Sequence, residues 1–427
     1  MRDASADPVS RAGRPLLWVA GFVLLAVLGT FLVLRLGDRE VITPTEPAEP
    51  ASSTDLRADG AATLLADLDD ALTDGTRRSA VTLAAPGDRA ARRSLGWIHD
   101  NVRSLGIGEL ALRFVEESGV LPDPVRRQYG PDAWIGNVSV SWRVEGYDES
   151  TSTMEVPFTF VDTPKGVALG SIGAGDAQPV PLWLLDDLAV HRSPRALVAA
   201  ADPGQLDRYT TLADQAVKDV RAVLPRWRGR LVVEVPADDD QLHRMLDAEP
   251  DTYDSIAAVT ATVDGSLSPS SPVHILINPA VFTNLGEDGS QIVMSHEATH
   301  VAVDAATSTM PLWLLEGFAD YVALARTDLP VEVTASQILA EVRRSGPPDV
   351  LPGPDEFDPA NKLLGTSYES AWLACKLLAE RYGERALVRL YDEVESGRSV
   401  REAFSAVGTT EGQFTHEWQD YLRELAG

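Results

Sequence analysis

The segment His296-Glu297-Ala298-Thr299-His300 constrains what this chain can fold into more than any other feature. It lies in QIVMSHEATHVAVDAA, an uninterrupted run of helix formers with Asp288 or Ser290 available as an N-cap. On that helix the two imidazoles, four residues apart, share one face and can aim ring nitrogens at a single ion. Glu297 lies about a third of a turn around from His296, where its carboxylate can reach a water held by that ion. Two histidines leave a catalytic zinc one protein ligand short. The fold must therefore bring in a third ligand from elsewhere.

A second segment can supply it. MPLWLLEGFADYVALA (310–325) reads as an apolar helix with Pro311 in its first turn, and it carries Glu316 sixteen residues after His300. A tight turn through 306–310 would let the two helices pack antiparallel and swing Glu316 across to the histidines. His296, His300 and Glu316 would then hold one Zn²⁺ per chain and leave a fourth position for water. Asp320, one turn beyond Glu316, is placed to accept a hydrogen bond from a liganded imidazole. The single cysteine, Cys375, excludes a Cys-based zinc site and an internal disulfide.

H-E-x-x-H followed by L-W-L-L-E-G-F-A-D-Y resembles the gluzincin metallopeptidases, above all the bacterial peptidase MA-like group. A W-L-N-E-G-F-A segment occurs in aminopeptidase-N relatives, and H-E-x-T-H with an acid four residues after the zinc glutamate occurs in the thermolysin branch. The resemblance spans roughly 185–427 and is motif-specific over 296–321. It implies that His296, His300 and Glu316 bind zinc, that Glu297 is the general base, and that Asp320 orients a ligand. The gap from His300 to Glu316 is shorter than in thermolysin or the aminopeptidases, and no G-x-M-E-N segment is present, so an aminopeptidase specificity is not implied. The expected reaction is hydrolysis of a peptide or protein by a zinc-bound water. Two alternatives stay open: an inactive zinc-containing binding or scaffold protein at the cell surface, and hydrolysis of a non-peptide amide.

An oxyanion donor would complete such a site. Tyr368, in GTSYESAWLACKLLAERYG, is the candidate, since members of the resembling group often carry a tyrosine there; the alternative is a residue that packs near a helix start. Strand VHILINP (273–279), just ahead of the histidine helix, is expected to form the cleft edge that pairs with an extended peptide. His274 on it reads as a surface or packing residue, and Cys375 as a buried small hydrophobe. Asp304 divides between support for the site and an exposed carboxylate.

The rest of the chain places this region. Residues 15–34, PLLWVAGFVLLAVLGTFLVL, are uncharged and long enough at about 1.5 Å per residue to span a bilayer core. Arg35 follows directly and no small-residue cleavage pattern appears, so a retained single-pass anchor is expected rather than a signal peptide. That gives a cytoplasmic tail (1–14), a membrane helix (15–34) contacting the lipid bilayer, and an extracellular body. A Pro- and Glu-rich linker (35–55) leads into an accessory α+β domain (56–180) with a nuclear-transport-factor-like look. The zinc domain (181–427) follows, with a mixed sheet and a mostly helical C-terminal half. The expected fold class is thus α+β behind an N-terminal transmembrane helix. Acidic residues outnumber basic ones 64 to 37, for a net charge of −27, and such a field repels phosphate backbones. Nucleic acid is excluded as a general partner.

Overall fold

The computed structural model describes residues 53–118, 121–173, 179–246, 248, 253, 256–358 and 361–427. They form an α+β structure with two sheets. Among the described residues no helix is long and apolar enough to cross a membrane. The expectation of an α+β chain led by a transmembrane helix is corrected accordingly, and residues 15–34, on which it rested, lie outside the described residues. The physical reason is charge: even the longest described helix, Ser53–Thr73, carries Asp55, Arg57, Asp59, Asp67, Asp69 and Asp70.

The chain divides into two compact units. One holds the described residues up to Phe282 together with 297–308. It opens with helices α1 (Ser53–Thr73), α2 (Arg77–Val81) and α3 (Arg89–Leu105). Helix α3 starts where the Asp88 carboxylate accepts from the backbone N–H of Ala90 and Ala91, and it stops at Gly106 in the left-handed conformation (φ 63°). The first sheet is an antiparallel meander in the order β1 (Ile107–Ser118), β2 (Ala133–Val144), β3 (Ser152–Thr163), β4 (Gly166–Ile172). Leu64, Leu65, Leu68 and Leu72 of α1 and Leu95, Ile98 and Val102 of α3 bury their apolar stripe with Val138, Val140, Val156 and Phe158 of the sheet.

The second sheet runs β5-β6-β7-β9-β8, with β5 (Ala189–Arg192), β6 (Ala196–Ala200), β7 (Leu231–Val235), β8 (Ala258–Thr262) and β9 (Val273–Ile277). β6, β7 and β9 are mutually parallel, while β5 and β8 pair antiparallel to their neighbours. Parallel strands buried on both faces read as unbroken apolar runs, as ALVAA in β6 does. Helix α4 (Leu206–Val223) buries Tyr209, Ala213, Ala216, Val217 and Val220 along one face. This order overturns one expectation. β9 is paired on both sides, so it offers no open edge; β8 is the edge strand on that side of the sheet, because the 263–272 connection folds back and lets β9 insert between β7 and β8.

The second unit comprises 283–296 and 309–427, so the division falls inside one continuous helix, α5 (Glu287–Ala302). That helix begins at Glu287, which places Asp288 and Ser290 within it rather than at its cap. Helix α6 (Leu312–Leu324) is buried along nearly its whole length, and α7 (Ser336–Ser345) and α8 (Leu364–Tyr382) follow. Helices α6 and α8 meet closely at Gly317: a Cβ there would stand 2.4 Å from the Ala371 carbonyl oxygen and 3.0 Å from Cys375 Sγ. Only glycine lets the backbone beside Glu316 approach this nearly. Cys375 is fully buried at that crossing, and burial, then Asp320, raise its thiol pKa well above the usual range.

Candidate metal centre

The histidines of α5 and Glu316 of α6 come together as their spacing requires. His296, His300 and Glu316 are each 1–2% exposed, and their ligand atoms all lie within 4.8 Å of one another. His296 Nε2 stands 3.3 Å from Glu316 Oε2. A tetrahedral zinc with bonds of about 2.1 Å has ligand–ligand edges of about 3.4 Å, so this edge already has the right length. The donor set, two imidazole nitrogens and a carboxylate oxygen, is a borderline-hard set suited to zinc.

Asp320 fixes the tautomer. Its Oδ1 is 2.7 Å from His296 Nδ1, and both side chains are buried. With the Nδ1 proton donated to Asp320, Nε2 presents a lone pair toward Glu316 Oε2. A nitrogen and an oxygen 3.3 Å apart in a buried site can share a proton or a cation between them. If the group holds a divalent ion, Asp320→Ala is expected to weaken its binding about 10–100-fold, measured by metal titration against a competing chelator. Unchanged affinity would mean that the carboxylate does not orient the ring.

Glu297 is completely buried, and its Oε2 accepts a 2.7 Å hydrogen bond from Thr260 Oγ1 on β8. The same hydroxyl lies 3.2 Å from the Glu297 carbonyl oxygen. The sequence reading had no role for Thr260. The only signal was a hydroxyl within the apolar stretch SIAAVTATV, in a strand shortly before the histidines.

Tyr368 is buried on α8 with its ring edge-on to Phe357, at 5.2 Å between centroids. Asp304 follows α5 in the left-handed conformation (φ 52°), with its carboxyl pKa raised by partial burial and by Glu149, and it is not a member of the metal-ligand group. His274 is not at the surface: it is 1% exposed, clamped between Glu234 Oε1 (2.7 Å from Nδ1) and Asp148 Oδ1 (3.0 Å from Nε2).

A second residue absent from the sequence reading is Glu369 on α8, 3% exposed. Its Oε2 accepts from the Ile338 backbone N–H at 2.8 Å, capping the first turn of α7. Burial pushes its pKa up to about 8 despite the donors at Ile338 and Gln337, and Asp320 adds to the rise. An acid on an otherwise apolar helix face, YESAWLAC, was the available signal.

No protein-family model matches this sequence, and no curated protein matches it. The chemistry of the site therefore rests on its own residues.

Proposed function

We propose that this chain is a gluzincin-type zinc metallopeptidase that hydrolyses peptide bonds. The observation that carries this reading is the buried His296–His300–Glu316 group, with Glu297 beside it on the same helix. When bound, zinc supplies Lewis acidity toward a carbonyl oxygen and lowers the pKa of a water. Every other step falls to the chain. Asp320 keeps the Nδ1 proton of His296 in place, so Nε2 stays a ligand atom. Glu297 takes a proton from the attacking water on its carboxylate and returns it to the departing amine nitrogen. Thr260 holds that carboxylate in position meanwhile. An extended peptide would pair along β8, the outer strand of the second sheet.

The test is elemental analysis of the full-length chain, purified without chelator and offered zinc, beside His296→Ala. The expected result is about one zinc per chain in the wild type and loss of most of it in the variant, with hydrolysis of a mixed peptide library only by the former. Absence of metal from the wild type would overturn the reading. Bound zinc without hydrolysis of any peptide would move the protein to a binding or scaffold role.

A further inference from the structure

The register of β8 gives Thr260 a second connection. The Asn278 N–H donates to the Ala257 carbonyl at 2.9 Å, and the Val263 N–H donates to the Pro272 carbonyl at 3.0 Å. Both bonds fall in the register that pairs Val259 with Leu276 and Thr260 with Ile275. In an antiparallel ladder, residues that bond to the neighbour alternate with residues whose N–H and C=O point the other way. The odd-numbered positions 257 and 263 bond to the β9 side, so Ala258, Thr260 and Thr262 direct their backbone groups toward the outer edge. Among the described residues no strand pairs with that edge. The side chain of Thr260 meanwhile reaches Glu297.

We propose that Thr260 is a positioning residue that joins peptide docking to the general base: its backbone faces the incoming peptide strand while its hydroxyl holds the Glu297 carboxylate. This rests on the peptidase reading above. The division of labour within one residue makes the two roles separable. Docking uses main-chain groups, which a side-chain substitution leaves in place. The hydroxyl acts on Glu297 alone, so its loss should act on turnover and not on binding. Without the 2.7 Å bond the carboxylate loses one of its restraints, and a misplacement of about 1 Å in a reacting group costs on the order of 100-fold in rate.

The test uses the full-length chain with Thr260→Val, which removes the donor at nearly constant volume, and Thr260→Ser, which keeps it. In crystals of metal-free protein, Glu297 should hold one rotamer in the wild type and in Thr260→Ser, and shift or split in Thr260→Val. In the zinc-loaded enzyme, Thr260→Val should keep its metal and its KM but lose about 10–100-fold in kcat, with Thr260→Ser near wild type. Peptides N-methylated one position at a time around the scissile bond should show raised KM at the residues that pair with β8, equally in wild type and Thr260→Val. If Thr260→Val does not fold, Thr260→Ala removes the same donor and carries the same comparison. An unmoved Glu297 or an unchanged kcat would overturn the positioning role, and a KM indifferent to every N-methylation would overturn the docking role. A wild type that neither holds zinc nor cleaves peptide would overturn the peptidase reading instead, while the metal-free crystals still decide whether Thr260 holds Glu297.

Discussion

On the proposed peptidase reading, Glu297→Gln should leave zinc at the wild-type level and lower kcat by about 10²–10⁴-fold, the range expected when a general base is removed from proton transfer. That loss corresponds to roughly 3–5 kcal/mol of transition-state stabilisation. The substitution separates site construction from chemistry because glutamine keeps the shape of the side chain. Its amide oxygen can still accept from Thr260 Oγ1, as Glu297 Oε2 does at 2.7 Å. The candidate ligands His296 and His300 stay on the same helix face, and Glu316 is untouched. What glutamine cannot do is take the proton of water and hand it on to an amine. Zinc content and single-turnover kinetics on one cleavable peptide decide the matter. Full activity with full zinc would mean that another group is the base, and loss of zinc along with activity would mean that Glu297 builds the site rather than using it.

The part of this site that could be read from the sequence is the part held by local geometry. His296 and His300 share a face because a helix repeats every 3.6 residues, and Glu316 is near enough in the chain that a short turn suffices to bring it back. Asp320 follows from Glu316 by the same one-turn argument, and the structure puts its Oδ1 on His296 Nδ1. Thr260, Glu369 and His274 are different. Their partners lie 37, 31, 40 and 126 residues away, and periodicity tells which face of an element is buried without telling what meets it there. The misassigned cleft edge has the same origin. Chain order puts VHILINP next to the histidine helix, but sheet order depends on how the 263–272 connection folds, and the inserted strand is β9. For Tyr368 the resemblance to the peptidase group offers an oxyanion donor and the sequence offers packing near a helix start; its ring stands edge-on to Phe357.

His274→Gln should cost about 3–5 kcal/mol of stability near neutral pH, the range for removing one partner of a buried ionic group. Its imidazole ties β9 to Glu234 of β7 and to Asp148 in the turn between β2 and β3, so it joins the two sheets of the first unit. Burial by itself would lower the pKa of such a ring, but Asp148 and Glu234 outweigh it and push the value up to about 10. The ring is therefore a cation shared by two carboxylates, whose side chains are 3% and 17% exposed. Removing it strands both. The pH dependence follows from linkage. In the unfolded chain this histidine releases its proton near pH 6.5, whereas in the native state it keeps it to about 10. Between those values the native state binds the extra proton, so the contribution of His274 is complete below about pH 6.5 and is lost as pH rises to about 10, with a slope of at most about 1.4 kcal/mol per pH unit. Denaturant unfolding of wild type and His274→Gln from pH 5 to 10 should give curves that are far apart near neutrality and converge toward pH 10. Parallel curves across this range would mean that His274 is held as a neutral ring, and that packing rather than charge joins the two sheets.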